Sequence, residues 1–356
     1  MQKAPPQAFG EPATAVPDDD AVTVHAPARL HLGFLDPGAS LGRRFGSVGM
    51  MIENMRTVVR LAPADVPRFS AAPAARHELE RARSIVAQLQ TSCAVPTPLD
   101  VHLIEALPAH SGLGSGTQLA LALGRAFSDL HRLDMATPEI ARSLNRGARS
   151  GIGIAGFERG GVLVDGGPRP GAATPPLLAR FDFPEEWRIV LAMDRTGCGL
   201  HGEGEKSGIA RLARFPQHQA AHLCHLVLMR IMPALAEHEF NPFAVGVSEL
   251  QRVLGEYFSP VQGGTYTSPG AGRLIRWIGE QQLAAVGQSS WGPTAFAILP
   301  SLDQAEEVVA EARAAGVIDH GIQVAIVAGR NRGALVTRGT PAAGCDGLEA
   351  TLGSNC

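Results

Sequence analysis

The sequence predicts an α+β protein of two domains, with helices laid against largely antiparallel sheets. Three observations carry that expectation. The chain has 356 residues and 45% hydrophobic content, which is more apolar material than one ordinary core takes up. Segments of strand-like alternation and segments of helical period follow one another along most of its length. A glycine-rich loop, PAHSGLGSG at Pro108 to Gly116, runs straight into the apolar helix-forming stretch TQLALALGRAF.

Taken in order, residues 1–20 are rich in Pro and Ala and close on Asp18, Asp19 and Asp20. They bury little apolar surface and are expected to be a disordered extension. AVTVHA and the segment Val48 to Leu61 read as strands, ARHELERARSIVAQL as a helix, and LDVHLIEAL as the alternating strand that delivers the glycine loop. Helices are expected over Thr117 to His131 and Pro138 to Arg149, a flexible loop at GGPRPGAATPP, and a strand at WRIVLAMD. Beyond it come helices over His218 to His238, Pro242 to Phe258 and Pro269 to Gln282, then the strand TAFAILP, the helix LDQAEEVVAEARAAG and the strand IQVAIVA. This places one domain over 21–190, a second over 191–338, and a flexible tail over 339–356.

Composition narrows the chemistry. The formal net charge is −3 with no long run of one sign, so neither a nucleic-acid nor a membrane surface is expected. No apolar run approaches the ~18 residues of a membrane span, and no secretory leader is legible at the start. Only Lys3 and Lys206 are lysines, the other 29 of 31 basic residues being arginines. Anions must therefore be met mainly by guanidinium forks, backbone amides and hydroxyls, and a Schiff-base lysine for pyridoxal phosphate has almost no candidate. Cys93, Cys198, Cys224, Cys345 and Cys356 are odd in number and lack C-x-x-C spacing, which argues against a disulfide framework or structural zinc and for a reducing, cytoplasmic setting.

The glycine loop has the layout of an anion cradle. Glycine admits backbone conformations closed to other residues and lets the main chain approach a ligand, while the following helix presents its positive end. The pattern lacks the lysine of a P-loop and the spacing of a dinucleotide fold.

At this point the motifs resemble a known family. PAHSGLGSGTQLALA is similar to the second signature of the GHMP kinase superfamily, GQSSWGPTAFAIL at Gly287 to Leu299 to its third, and PARLHLGFLD to its first. The resemblance implies a two-domain GHMP-kinase-like fold: an N-terminal domain like ribosomal-protein S5 domain 2, a ferredoxin-like C-terminal domain, and a site in the cleft between them. Kinases of this superfamily carry S-G-x-D, whose aspartate orients the acceptor hydroxyl. Here SGIGIAGFERGG puts Gly153 in that place, and ungapped counting puts Arg142 where several of them hold a metal with glutamate. Phosphoryl transfer needs a placed metal ion and an oriented nucleophile, so a different reaction on a phosphorylated substrate is expected.

The combination of ARLHLGFLD, RGARSGIGIAGFERGGVLVDGG, YFSPVQGGTYTSP and GQSSWGPT resembles the β-ribofuranosylaminobenzene 5′-phosphate synthase family of tetrahydromethanopterin biosynthesis. That resemblance implies condensation of 4-aminobenzoate with phosphoribosyl pyrophosphate, loss of CO2 and pyrophosphate, assistance by Mg2+, and a homodimer. On it, Ser111, Gly112, Leu113, Gly114, Ser115, Gly116 and Thr117 are the phosphate-binding set. Arg29, His31, Arg149 and Ser150 are the catalytic candidates, and Gln262, Gly263, Gly264, Tyr266, Gln288, Ser289, Ser290 and Trp291 the substrate pocket. Ser115, Thr117, Glu203 and Glu205 are the candidate metal ligands. Bland roles stand beside these: a helix cap for Ser115 or Thr117, a buried structural histidine, a helix-end arginine, a mobile acidic loop, and core packing for Tyr266 and Trp291. An ATP-dependent small-molecule kinase and a non-catalytic ligand-binding descendant are the alternative functions.

Overall fold

A computed structural model describes residues 20–171, 174–196, 208 and 211–339 of the chain. The expected N-terminal extension and C-terminal tail lie outside the described residues apart from Asp20 and Gly339. Two long antiparallel strands, β1 (Val22–Asp36) and β2 (Phe45–Pro63), form the spine of the first domain. Both outrun the strands expected from the sequence. β1 continues through PARLHLGFLD because two register shifts, between Pro27 and Arg29 and between His31 and Gly33, absorb the residues that cannot hold a regular ladder.

The first sheet has the order β11–β1–β2–β4–β3, with β5 beside the start of β2 and β6 beside β5. Here β3 is Arg68–Ala71, β4 Leu99–Glu105, β5 Val162–Asp165, β6 Leu177–Phe181 and β11 Leu335–Arg338. A 3-10 turn over Pro73–Glu78 leads into α1 (Leu79–Cys93), and α2 (Ser115–Leu130) follows the glycine loop. Val22, Val24, Ala26, Val59, Leu61, Val101 and Leu103 meet Ile85, Leu89, Leu119, Leu123 and Phe127 in one buried cluster, so α1 and α2 cover a single face of this sheet. The helix expected over Pro138 to Arg149 stops early. α3 spans Thr137–Ser143, and Asn145 (φ 54°) and Gly147 (φ 88°) then take left-handed backbone, which no α-helix accommodates. α4 (Ile152–Arg159) was not legible, because its glycines carry low helix propensity.

The second sheet is antiparallel in the order β10–β7–β9–β8, with β7 Arg188–Asp194, β8 Ala285–Gln288, β9 Thr294–Leu299 and β10 Ile322–Val327. Alternation along β7 and β9 decides which way each side chain points. Val190, Ala192, Ala295 and Ala297 face α8 (Pro269–Gln281) and α9 (Leu302–Ala314). Ile189, Leu191, Phe296 and Ile298 face a second cluster. There they meet α5 (Gln217–Leu226), a π-helical turn at Val227–Ile231, α6 (Met232–Glu237), α7 (Phe240–Gln262), and Leu30, Leu32, Met50 and Ile52 of the first domain. One core therefore runs through both domains. The expected boundary after residue 190 falls inside β7, which pairs from Arg188 with β9 of the second sheet, while β11 returns to pair with β1 of the first. Among the described residues, no helix is long and apolar enough to cross a membrane.

Candidate active site

Three segments remote in sequence converge: Arg29 to Gly33 on β1, the glycine loop, and the turn Gln288 to Gly292 joining β8 to β9. The Ser289 hydroxyl, wholly buried, accepts the His31 N–H at 3.0 Å and donates to the Gly112 carbonyl at 2.7 Å. The Arg29 N–H donates to the Leu113 carbonyl at 3.0 Å, and the Ser290 N–H reaches the His31 carbonyl at 3.4 Å. Gly112 and Gly292 lie backbone against backbone: a Cβ on Gly292 would stand 2.3 Å from the Gly112 nitrogen.

Within the loop the expected phosphate-binding residues divide their work. The Ser111 hydroxyl closes the turn by donating to the Pro108 carbonyl at 2.8 Å, and Leu113 is a buried anchor. Gly114, in left-handed backbone at φ 80°, is the N-cap of α2, so Ser115, Gly116 and Thr117 form its first turn. Arg29 lies across Gly114, where a Cβ would stand 2.7 Å from its Cγ and 3.0 Å from its Nε. Gly153 of α4 closes over the same place, its Cβ position 3.1 Å from Thr117 Cγ2 and 3.5 Å from Arg29 Nε. On the other side of the turn, a Cβ at Gly116 would be 3.5 Å from Arg81 Nη1 and 3.6 Å from Arg146 Nη1. Neither of these two arginines was singled out by sequence reasoning. Ungapped counting pointed to Arg142, which is exposed, whereas the side chain of that segment that reaches α2 sits four residues on.

An open pocket of about 360 Å³ adjoins the converging segments. His31, Phe34, Phe258 and Trp291 give it aromatic walls, and Gln251, Gln262, Gln288 and Ser290 give it polar ones. The amides are fixed in a chain: Gln251 donates to the Leu32 carbonyl and accepts the Gln288 N–H at 2.8 Å, and Gln288 donates to the Ser290 carbonyl at 2.9 Å and to Gln262 at 3.3 Å. Of the expected pocket residues, Gln262, Gln288, Ser290 and Trp291 line it, and Ser289 stands behind as the strut. Trp291 is also a packing anchor against Phe258, with ring centroids 4.9 Å apart. Gly263 (φ 82°) ends α7 with open space where a Cβ would stand, and Gly264 continues the turn. Tyr266 departs from expectation: it packs half-buried beneath Gly272 of α8 and against the second-domain core, a seam that covers its ring as the cleft does not. Gln251 was missed, although a glutamine amid Val247, Leu250, Val253 and Leu254 is a polar break in an apolar helix face.

Burial is what sets the charge of His31. It is 2% exposed, and desolvation followed by the nearby Arg29 charge lowers its pKa from 6.5 to about 3, against a smaller opposing backbone hydrogen bond. The ring is neutral at physiological pH, and its buried Nε2 has no hydrogen-bond partner in the protein. It can therefore offer a substrate a neutral donor or acceptor and not a cationic grip. The unfolded chain binds a proton that the folded chain refuses between pH 6.5 and about 3. His31 thus contributes stability that is complete above the unfolded value and is lost as pH falls through that window. The loss at about pH 5 is expected to be about 2 kcal/mol. In urea unfolding at about pH 7 and about pH 5, His31→Gln should remove that share of the acid destabilisation; an unchanged slope would assign it elsewhere.

Ser150 is engaged in a different structure. Asp165, 1% exposed at the end of β5, accepts from the hydroxyl of Ser47, from Ser150 at 3.3 Å, and from the backbone N–H groups of Gly151 at 2.8 Å and Gly167 at 2.9 Å. The carboxylate ties β2 and β5 to the start of α4, and Ser150 takes the Ile152 N–H at 3.2 Å. Ser150, expected among the catalytic residues, is thus held by hydrogen bonds at the start of α4, with half-buried Arg149 just ahead of it. Burial pushes the Asp165 pKa up, against the four hydrogen bonds that pull it down. A second, solvent-open hollow lies on this side of α4 and is lined by Asp165, Glu158 and Arg159 among others. The one local hint of Asp165 was an acid ending the apolar run VLVD ahead of two glycines.

The donor set at the start of α2 does not suit a resident divalent cation, which takes carboxylate oxygens. Ser115 and Thr117 supply hydroxyls only, and the neighbouring charges are the guanidiniums of Arg29, Arg81 and Arg146. The nearby acid Glu78 is paired with Arg81 at 3.0 Å. No group of three or more His, Cys, Asp or Glu able to hold a metal occurs among the described residues. The other two candidate ligands, Glu203 and Glu205, lie outside the described residues.

Comparison with known proteins places this geometry. The model for the GHMP kinases N terminal domain matches residues 79–161, and that for GHMP kinases C terminal matches residues 231–318. The chain is 32% identical over 332 residues to the beta-ribofuranosylphenol 5'-phosphate synthase of Methanothermobacter thermautotrophicus, covering 88% of this chain and 98% of that protein. It is 34% identical over 291 residues to the Archaeoglobus fulgidus protein of the same name, covering 78% and 88%. Among solved structures, homoserine kinase from Cytophaga hutchinsonii superposes with a TM-score of 0.63 at 15% identity, covering 93% of this chain and 100% of that one. Mevalonate diphosphate decarboxylase from Staphylococcus aureus does so with a TM-score of 0.63 at 13% identity, covering 89% and 98%. The fold is the two-domain α+β GHMP kinase fold. From the identity and coverage of these relatives, the chain belongs to the beta-ribofuranosylphenol 5'-phosphate synthase family of enzymes.

Proposed function

We propose that the protein condenses phosphoribosyl pyrophosphate with 4-aminobenzoate, releasing pyrophosphate and CO2 and leaving a C-ribosylated aminobenzene 5′-phosphate. The bond from the anomeric carbon to pyrophosphate breaks with its electron pair on the leaving group. The ring carbon bearing the carboxylate, made electron-rich by the para amino group, bonds to the anomeric carbon, and the electrons of the breaking C–CO2 bond restore the aromatic ring. The balance is closed without an oxidant, a covalent cofactor or a transferred phosphoryl group.

The observation that carries the reading is the position of Arg29. Its stem lies over Gly114 and beside Gly153, so a cation stands where a kinase of this fold would place its carboxylate. The start of α2 with Arg29 suits an anionic leaving group, and the adjoining aromatic and amide pocket suits a flat benzoate ring. Neutral His31 can hydrogen-bond the ring's para substituent without adding a charge there. Mg2+ is proposed to enter chelated to the substrate diphosphate, given the donor set of the loop.

Incubation with phosphoribosyl pyrophosphate, Mg2+ and carboxyl-labelled 4-aminobenzoate should release labelled CO2 and pyrophosphate in equal amounts. Pyrophosphate without CO2 would mark N- or O-ribosylation and overturn the assignment. The relatives are named for a phenol, which favours 4-hydroxybenzoate as the second acceptor, run as a parallel arm. Transfer of phosphate from ATP to a small alcohol would restore the kinase reading.

A further inference from the structure

We infer that Arg81 and Arg146 form a clamp for a diphosphate group across Gly116, taking the leaving end of the substrate while Arg29 serves the pocket side of the same helix start. The identity of the anion rests on the proposed function, and the clamp itself rests on geometry.

Both Nη1 atoms lie close to one point, 3.5 Å and 3.6 Å from where a Gly116 Cβ would stand. The two guanidiniums come from distant segments, α1 and the turn after α3. They share one acid, Glu78, which is 3% exposed and bonded to Arg81 at 3.0 Å, so the cluster keeps a surplus positive charge. Its position is costly for a protein with nothing to bind there. Burial, and then the Arg81 charge, disfavour the charged form of Arg146, with Glu78 opposing. The Arg146 Nε is buried without a hydrogen-bond partner. A stable fold would place an acid between such neighbours or turn them to solvent. What stands between them is a glycine in the first turn of α2, whose missing side chain leaves room for an anion at the positive helix end. A diphosphate offers enough charge and oxygens to engage both forks, which a carboxylate does not.

The test is calorimetric titration of the full-length protein with inorganic pyrophosphate and, separately, with ribose 5-phosphate, with and without Mg2+. Arg146→Met should weaken pyrophosphate binding at least about tenfold and ribose 5-phosphate binding less than about twofold, with Arg146→Lys between, since an ammonium keeps the charge and loses the fork. Gly116→Ala keeps the helix favourable and fills the space between the guanidiniums, so it should give the same selective loss and serves if Arg146→Met folds poorly. Wild-type pyrophosphate affinity in both Arg146→Met and Gly116→Ala, or no pyrophosphate binding by the wild-type protein, would overturn the clamp. Selective loss in a protein that makes no CO2 from labelled aminobenzoate would leave the clamp standing and the proposed reaction refuted. Normal turnover with unaltered pyrophosphate binding in the variants would do the reverse.

Discussion

Gly292→Ala is expected to reduce kcat/KM by at least about a hundredfold and to destabilise the fold by about 3 kcal/mol. The added Cβ would stand 2.3 Å from the Gly112 nitrogen, 2.4 Å from its Cα and 2.4 Å from the Ser111 carbonyl carbon. All three are main-chain atoms of a loop held by Leu113 and by the Ser289 strut, so no side chain can swing aside. Relief requires the β8–β9 turn and the glycine loop to part. That breaks the Ser289 bond to Gly112 and moves the start of α2 relative to the pocket, and misplacement by an ångström is enough for the loss in rate. Paired turnover and urea-unfolding measurements check it. Near-normal values for both would mean that the two loops are not in contact.

Gly114→Val should abolish turnover, by more than about a hundredfold, while the far-ultraviolet circular dichroism stays that of the wild type. Here the conflict is of another kind. Gly114 sits at φ 80°, a region that a β-branched residue occupies only with strain of about 1–3 kcal/mol. The first atoms met are the stem of Arg29, at 2.7 Å and 3.0 Å. A flexible stem can move, so the domains stay folded. The guanidinium then leaves the position between Gly114 and Gly153 on which the proposed reaction depends. Ser115→Ala should be much milder. Wild-type turnover in Gly114→Val would separate Arg29 from the chemistry.

The parts of the site that lie along one stretch of chain were legible. SGLGSGT and QSSWG declare a tight backbone approach through their glycines, and the alternation of Arg29 and His31 with Leu30 and Leu32 puts the two polar side chains on one face of β1. What could not be read is whatever depends on two segments meeting. Nothing local to Arg146 says that it will reach α2 beside Arg81, and nothing local to Asp165 says that it will gather Ser47, Ser150 and the start of α4. Tyr266 shows the converse. It stands in a glycine-rich segment that looks like part of a pocket, and contact with Gly272 of α8 turns it against the second-domain core. α4 was hidden because its tertiary contacts, and not its propensity, hold it helical.

The return of β11 to β1 has a consequence for synthesis. Val22 to His25 pair with Leu335 to Arg338, and the Gly339 N–H reaches the Ala21 carbonyl at 2.9 Å. At roughly 5–20 residues per second on the ribosome, β1 waits tens of seconds for β11. Until then the nascent first domain carries a bare edge along AVTVHA, the kind of template on which another chain can add. Most of the second domain is synthesised inside that interval, β10 ending at Val327 just ahead of β11. A transcript truncated before Leu335 would therefore yield a protein with both cores present and one seam open, prone to join its copies edge to edge.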